Sequence, residues 1–140
     1  MLTRYPEHFG ALLCAVPVID MRRSKKLLAG NVIDEYGDPD KPEDWAFLSE
    51  ISAYHVAAPD KQYPPILLTT SRKDDRVHPA HARKMAAKLQ TMGYEAYFYE
   101  PATGGHSAGK DNSEAAAFFA LGCSFLRRAI GWDTDDSGLS

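Results

Sequence analysis

Short apolar runs that alternate with helical segments restrict this chain to an α/β architecture. The first run, at residues 9–18, reads Phe-Gly-Ala-Leu-Leu-Cys-Ala-Val-Pro-Val and contains no charged residue. Further runs follow at residues 66–70 and 94–100. A strand that helices cover on both faces lacks polar residues at alternate positions, so the first run predicts a strand buried on both faces of a parallel sheet.

An amphipathic helix is predicted between the second and third runs. It begins at Pro79 and ends before Gly93, and His81, Lys84 and Lys88 fall on its outer face. Its inner face consists of apolar residues at three- and four-residue steps: Ala82, Met85, Ala86, Leu89 and Met92.

A second long helix follows the third run. Asp111, with Glu114 three residues later, is typical of a helix start, and the helix is expected to reach Ile130 and stop at Gly131. Between the first two runs, residues 34–42 are rich in turn formers and residues 43–52 predict a short helix. This order of segments predicts an α/β fold in which helices flank a parallel sheet with right-handed crossovers.

Size and charge exclude several classes of protein. A chain of 140 residues, 44% of them hydrophobic, can bury a core of its own. We expect one domain at residues 1–131 and a polar tail at 132–140. The net charge of −3 has the wrong sign for a nucleic-acid partner, and no apolar run reaches the roughly 18 residues of a membrane span.

The termini and the cysteines indicate a reducing compartment. The first residues lack the basic start and apolar run of a secretion signal, so we expect a cytoplasmic location. Cys14 and Cys123 lie in separate apolar runs and are too few for a disulfide framework. They are predicted to be reduced thiols in the core.

Two loops after predicted strands carry groups suited to chemistry. In a parallel sheet, ligands and catalytic groups gather beyond the carboxyl ends of the strands. Asp74 lies in the loop after the second run, and His106 lies between glycines in the loop after the third. A carboxylate that accepts a hydrogen bond from one imidazole N–H fixes the tautomer of the ring and leaves the other nitrogen free to act as a base. The alternative is that Asp74 and Asp75 cap the next helix or pair with Arg76, while His106 is a solvated loop residue.

At these residues the chain resembles the α/β-hydrolase domain of the prolyl oligopeptidase family of serine peptidases. Four blocks occur in the family's order: Leu-Thr-Arg-Tyr-Pro-Glu-His-Phe-Gly-Ala at 2–11, Glu-Tyr-Gly-Asp-Pro at 35–39, Asp-Asp-Arg-Val-His-Pro at 74–79 and Gly-Gly-His-Ser-Ala-Gly at 104–109. The resemblance implies that Asp74 is the acid and His106 the base of a Ser-Asp-His triad. It also implies that Arg76 holds a carbonyl of a peptide substrate, and that no cofactor takes part.

The chain departs from the family pattern at two places. The family's nucleophile stands in a Gly-x-Ser-x-Gly-Gly elbow, which these 140 residues lack. We therefore expect the chain to be the C-terminal part of the catalytic domain, inactive by itself, with the serine upstream. The family's tryptophan before the Glu-Tyr-Gly block is also absent from residues 30–34, so the resemblance does not extend to the proline pocket.

Other readings of the polar residues are weaker. Ser107 directly follows His106, and side chains of adjacent loop residues diverge, so Ser107 is not favoured as a nucleophile. Ser71 lies in the same loop as Asp74 and lacks the glycines of a nucleophile elbow, so it is not favoured either. His78 and His81, with Asp74 and Asp75, can be interpreted as the ligands of a metal-dependent hydrolase, but their spacing matches no zinc signature.

The first apolar run also predicts an interaction. Without the earlier strands of a hydrolase domain, residues 9–18 form a long uncharged edge strand, and such edges pair with other strands. We expect the edge to bind the missing N-terminal part of the hydrolase or a second copy of the chain. A non-catalytic fragment or interaction module is the alternative function.

Overall fold

The computed structural model describes residues 1–106 and 109–132 of the chain. Three strands form the sheet: β1 (Leu12–Ala15), β2 (Ile66–Thr69) and β3 (Ala96–Tyr99). The helices are α1 (Ser24–Leu27), α2 (Val32–Tyr36), α3 (Pro42–Ile51), α4 (Ala53–Val56), α5 (Ala80–Thr91) and α6 (Asn112–Ala129), with 3-10 turns at Pro6–His8 and Met21–Arg23. The predicted tail at 133–140 lies outside the described residues.

The sheet is parallel and has the order β1-β2-β3 in the described part of the chain. Leu12 stands opposite Ile66, which in turn stands opposite Ala96. The central strand β2 is buried along its whole length, as expected for a strand with neighbours on both sides. The predicted α/β fold class is confirmed, and the loops after the three strands leave the sheet at the same end.

Strand β1 corrects one expectation. It comprises four residues instead of ten, and they alternate between half-buried and exposed, so the prediction of a strand buried on both faces is wrong. Leu12 and Cys14 pack against the main core, whereas Leu13 is 41% exposed beside α6. The reason is that β1 lies at the edge of the sheet, where its second face is only partly covered.

Helix α5 supplies the largest part of the core. Four members of its predicted inner face, Ala82, Met85, Ala86 and Leu89, are buried as expected. The fifth, Met92, stands at the C-cap and is only half-buried. Gly93 follows the helix with φ of +83°, a conformation that glycine adopts without strain. His81 was expected on the outer face, but it is only 1% exposed, so that placement is wrong. Its ring is buried because it accepts hydrogen bonds from backbone of the segment that follows β1.

Helix α6 begins as its sequence predicts. The Asp111 side chain accepts a hydrogen bond of 2.9 Å from the backbone N–H of Glu114. The helix packs on the sheet through ring contacts between Phe125 and Tyr97 on β3, with centroids 5.6 Å apart. At Gly122 a Cβ atom would lie 2.8 Å from Leu13, so glycine permits the close approach of α6 to β1.

The two cysteines lie in different environments. Cys14 is half-buried, and desolvation raises the pKa of its thiol. Cys123 is exposed on α6, so the expectation that both thiols belong to the core is wrong for this residue. Its position in an apolar run is explained by the uncovered outer side of α6.

None of the helices in the described ranges combines the length and apolarity needed to cross a lipid bilayer.

Candidate active site

The carboxylate of Asp74 is held by the turn that follows β2. Its Oδ1 atom accepts hydrogen bonds from the backbone N–H groups of Arg76 at 3.0 Å and Val77 at 2.9 Å. Its side chain is fully buried. The alternative that Asp74 caps α5 is not what the structure shows, because α5 has no side-chain cap and the carboxylate instead closes its own turn.

His106 meets this carboxylate from the loop after β3. Its Nδ1 atom lies 3.0 Å from Asp74 Oδ2 and 3.1 Å from Oδ1. The imidazole is 34% exposed, so it is not the fully solvated side chain of the alternative reading. When Nδ1–H donates a hydrogen bond to Asp74, the lone pair of the neutral ring resides on Nε2, which can then act as a base.

The backbone around Arg76 is fixed, while its side chain is exposed. Its N–H donates to Asp74, and its carbonyl accepts a hydrogen bond of 2.8 Å from the N–H of Ala29. This second bond belongs to an antiparallel bridge between Leu28 and Val77. The side chain of Arg76, predicted to bind substrate, therefore starts from a turn whose backbone also bonds to the Asp74 carboxylate.

The Glu114 side chain connects the two ends of the loop that carries His106. One carboxylate oxygen accepts from the Thr103 hydroxyl at 3.0 Å, and the other accepts from the Lys110 backbone N–H at 2.9 Å. These bonds lower the pKa of the Glu114 carboxyl, the Lys110 backbone contact being the largest cause. Sequence reasoning found Glu114 only as part of a helix start and missed this second role. Its signal was an acidic residue just after a glycine-rich loop.

The two serines considered as nucleophiles are not placed for that role. Ser71 is 2% exposed, and its hydroxyl is directed at the backbone carbonyls of Thr103 and Gly104. A hydroxyl that is buried and already bonded cannot reach a substrate carbonyl. Ser107 lies outside the described residues.

The four candidate metal ligands do not converge. His81 Nδ1 accepts from the backbone N–H of Asp20 at 3.1 Å, and His78 Nδ1 accepts from that of Ala80 at 3.1 Å. Asp74 is committed to its turn and to His106. Within residues 1–106 and 109–132, no three His, Cys, Asp or Glu side chains form a group that could hold a metal ion.

A second buried acid lies at the carboxyl end of β1, and the sequence did not reveal it. The Asp20 side chain is fully buried and pairs with Lys84 and, at 3.1 Å, with Arg23. Burial raises the pKa of this carboxyl, but its bonds to the two cations outweigh burial and hold the pKa below its ordinary value. The cluster ties the segment after β1 to α5. Asp20 and Lys84 are 64 residues apart, so no local sequence pattern predicts their contact.

Comparison with known proteins relates the whole described chain to one family. The model of the prolyl oligopeptidase family matches residues 1–132. An uncharacterized peptidase of Sinorhizobium fredii is 44% identical over 117 residues, covering 83% of this chain and 16% of the relative. An uncharacterized peptidase of Rickettsia prowazekii is 40% identical over 120 residues, covering 84% of the chain and 17% of the relative.

Solved structures of related enzymes share the fold. The structure of a post-proline cleaving enzyme from Rickettsia typhi superimposes with a TM-score of 0.88 at 36% identity, covering 93% of this chain and 19% of that one. The structure of oligopeptidase B from Leishmania major gives a TM-score of 0.83 at 19% identity, covering 93% of this chain and 19% of that one, which is a likeness in fold. The chain therefore spans less than a fifth of these relatives.

Proposed function

Because this chain belongs to the prolyl oligopeptidase family and forms a segment of a serine peptidase of that kind, we propose that Asp74 and His106 are its catalytic acid and base. The nucleophilic serine then comes from residues outside these 140. The observation that carries the proposal is the contact of His106 Nδ1 with both oxygens of the buried Asp74 carboxylate. The chain alone is expected to have no peptidase activity.

The proposed chemistry is acyl transfer. His106 Nε2 removes the proton from the serine hydroxyl as its oxygen attacks the carbonyl carbon of the peptide bond. The imidazolium that forms is stabilised by Asp74, which keeps its negative charge. His106 then protonates the leaving amine, and water hydrolyses the acyl-enzyme in a second round with the same base.

Arg76 is proposed to bind the substrate. Its exposed guanidinium presents several N–H donors, which suit a carbonyl oxygen of the peptide main chain. The turn that fixes its backbone also fixes Asp74, so the substrate would be held at a set distance from the acid and base. Peptide is the substrate class that family membership implies.

The open edge of β1 is proposed to receive a strand from the polypeptide that supplies the serine. The edge carries no charged residue, and the adjoining hollow of about 320 Å³ is lined mainly by apolar side chains, among them Leu12, Cys14 and Ile51. An uncharged edge of this kind favours pairing with another strand. The matched segment is 16% and 17% of the length of the two relatives, so they hold ample sequence to provide such a strand.

A chimeric enzyme tests the assignment. This chain replaces the matching segment of the Rickettsia typhi post-proline cleaving enzyme, and turnover is measured with a chromogenic peptide that the parent enzyme cleaves. The chimera should be active, and His106→Ala should lower kcat by at least about 1,000-fold. His78→Ala is the matched control, since His78 is exposed and its ring accepts a hydrogen bond from the backbone of Ala80, two residues away.

Two results would contradict the assignment. Unchanged turnover in the His106→Ala chimera would remove His106 as the base. A folded chimera without turnover, while the parent enzyme is active, would show that this segment does not supply a working acid and base.

A further inference from the structure

The proposed acid and base stand on loops from different strands, and one buried hydroxyl connects these loops. Ser71 lies two residues after the end of β2 and is 2% exposed. Its Oγ atom lies 3.0 Å from the carbonyl oxygen of Gly104 and 3.3 Å from that of Thr103. A serine hydroxyl has one proton to donate, so this proton is shared between two carbonyls of the His106 loop.

Ser71 is bonded to the Asp74 loop as well. Its backbone carbonyl accepts a hydrogen bond of 3.2 Å from the N–H of Asp74. Its hydroxyl oxygen accepts a longer bond of 3.4 Å from the N–H of Lys73. Ser71 therefore fixes the residue that carries the acid and, through Gly104, the backbone two residues before the base.

The glycines in the His106 loop make the bonds from the Ser71 hydroxyl important for the position of the ring. Gly104 adopts φ of +84°, a left-handed conformation that glycine reaches readily, and Gly105 follows it. Glycine has more conformational freedom than any other residue, so a glycine pair next to His106 leaves the ring poorly fixed by its own backbone. Glu114 bonds to Thr103 and Lys110, which lie further from His106 along the chain than Gly104 does.

We propose that Ser71 is a positioning residue for His106. Its hydroxyl holds the carbonyls of Thr103 and Gly104 so that the imidazole remains against Asp74. This inference rests on the proposed function of the Asp74–His106 pair. It gives the Ser71 hydroxyl a role other than that of a nucleophile, since the oxygen is buried and acts only through the His106 loop.

The tautomer of His106 reports this role directly. In the chain labelled with ¹⁵N-histidine, nuclear magnetic resonance at alkaline pH distinguishes neutral rings protonated on Nδ1 from those protonated on Nε2. His106 should carry its proton on Nδ1, because the Asp74 carboxylate accepts a hydrogen bond from Nδ1–H. In Ser71→Ala the ratio of the Nδ1–H to the Nε2–H form should fall about fivefold, the equilibrium factor of one ordinary hydrogen bond.

Ser52→Ala is the matched control. Ser52 is also completely buried and donates its hydroxyl to a backbone carbonyl, that of Ile19, far from His106 in the chain. Its loss should destabilise the protein comparably and leave the His106 tautomer unchanged. Ser71→Cys is a second variant, because a thiol has nearly the shape of the hydroxyl and donates only weakly. It should shift the tautomer ratio in the same direction as alanine.

The outcomes separate this inference from the function on which it rests. If His106 in the unmodified chain is a mixture of tautomers and Asp74→Asn changes nothing, the proposed acid–base pair is wrong. If His106 is fixed as Nδ1–H, and Ser71→Ala and Ser71→Cys leave it so, the pair stands and the role of Ser71 is refuted. In the chimera, loss of positioning should lower kcat between about 10- and 100-fold with little change in KM.

Discussion

The carboxylate of Asp74 lies 3.0 Å from Nδ1 of His106, although 32 residues separate them in the chain. Two parallel strands produce this contact. β2 ends just before the Asp74 turn and β3 ends just before the His106 loop, and neighbouring parallel strands release their loops at one end of the sheet. The pair is thus a direct consequence of topology.

Replacing the acid tests the contact. In the chimera, Asp74→Asn should lower kcat by several orders of magnitude, because an amide neither fixes the required tautomer nor stabilises the imidazolium. Asp75→Asn removes the neighbouring exposed carboxylate and serves as the control. Steady-state turnover of the same peptide compares the two variants. Equal activity of both would contradict the role of Asp74.

Arg76→Ala should chiefly weaken substrate binding. We expect KM to rise about tenfold, with a smaller change in kcat, because the guanidinium contacts the substrate away from the reacting bond. Arg72→Ala is the control, since Arg72 is exposed in the same loop and lies 3.9 Å from Glu100. An unchanged KM in Arg76→Ala, measured on the peptide substrate, would exclude the proposed contact.

His81 should make the stability of the chain depend on pH. Burial lowers the pKa of this ring to about 4, while the attraction of Asp20 partly opposes burial and the charges of Lys84 and His78 reinforce it. Between about pH 6.5 and 4, therefore, His81 binds a proton in the unfolded chain, where the pKa of histidine is near 6.5, but stays neutral in the folded chain. The contribution of His81 to the free energy of unfolding is fully present above about pH 6.5, and the free energy of unfolding should decrease by about 3 kcal/mol as the pH falls to 4.

The His81→Gln variant checks the source of this dependence. Glutamine can accept a backbone hydrogen bond but does not titrate, so the variant should lose stability at pH 7 and lose less of it between pH 6.5 and 4. His8→Gln, at an exposed histidine, is the control. Urea unfolding at both pH values measures the difference. A pH slope in His81→Gln as steep as that of the unmodified chain would contradict the buried histidine as its source.

The edge of β1 predicts self-association when no other strand is supplied. The isolated chain should form dimers or larger species as its concentration rises, because the uncharged edge pairs with a second copy. Ala15→Lys places a charge at an exposed position of β1 and should shift the chain to monomer. Ala87→Lys makes the same change on the exposed face of α5 and should not. Sedimentation velocity distinguishes these states, and a strictly monomeric unmodified chain would contradict the prediction.

Local patterns in the sequence predicted the elements better than their surroundings. The inner face of α5, apart from Met92, and the Asp111 cap of α6 follow from short-range spacing, and both are confirmed. The burial of His81 could not be predicted, because it depends on backbone N–H groups 61 and 62 residues away. The exposure of Leu13 likewise depends on what lies beside β1, which its own apolar run does not reveal.

Some features of the candidate site could be predicted from the sequence, whereas others required the structure. Topology and family resemblance together placed Asp74 and His106 in adjoining loops, and the distance between them required the structure. The sequence offered Ser71 only as an improbable nucleophile, since its bond to Gly104 crosses between loops 33 residues apart. The spacing of Asp111 and Glu114 predicted a helix start, but it gave no sign that the Glu114 side chain also accepts a hydrogen bond from Thr103.

Intact mass after treatment with a fluorophosphonate, a reagent that labels activated serines, tests the roles of Asp74 and His106 most directly. We expect no mass gain for the folded chain alone and one label on the chimera, with labelling largely abolished by His106→Ala. A stoichiometric gain on the chain alone would place an activated serine within these 140 residues. Undiminished labelling of the His106→Ala chimera would show that His106 is not the base.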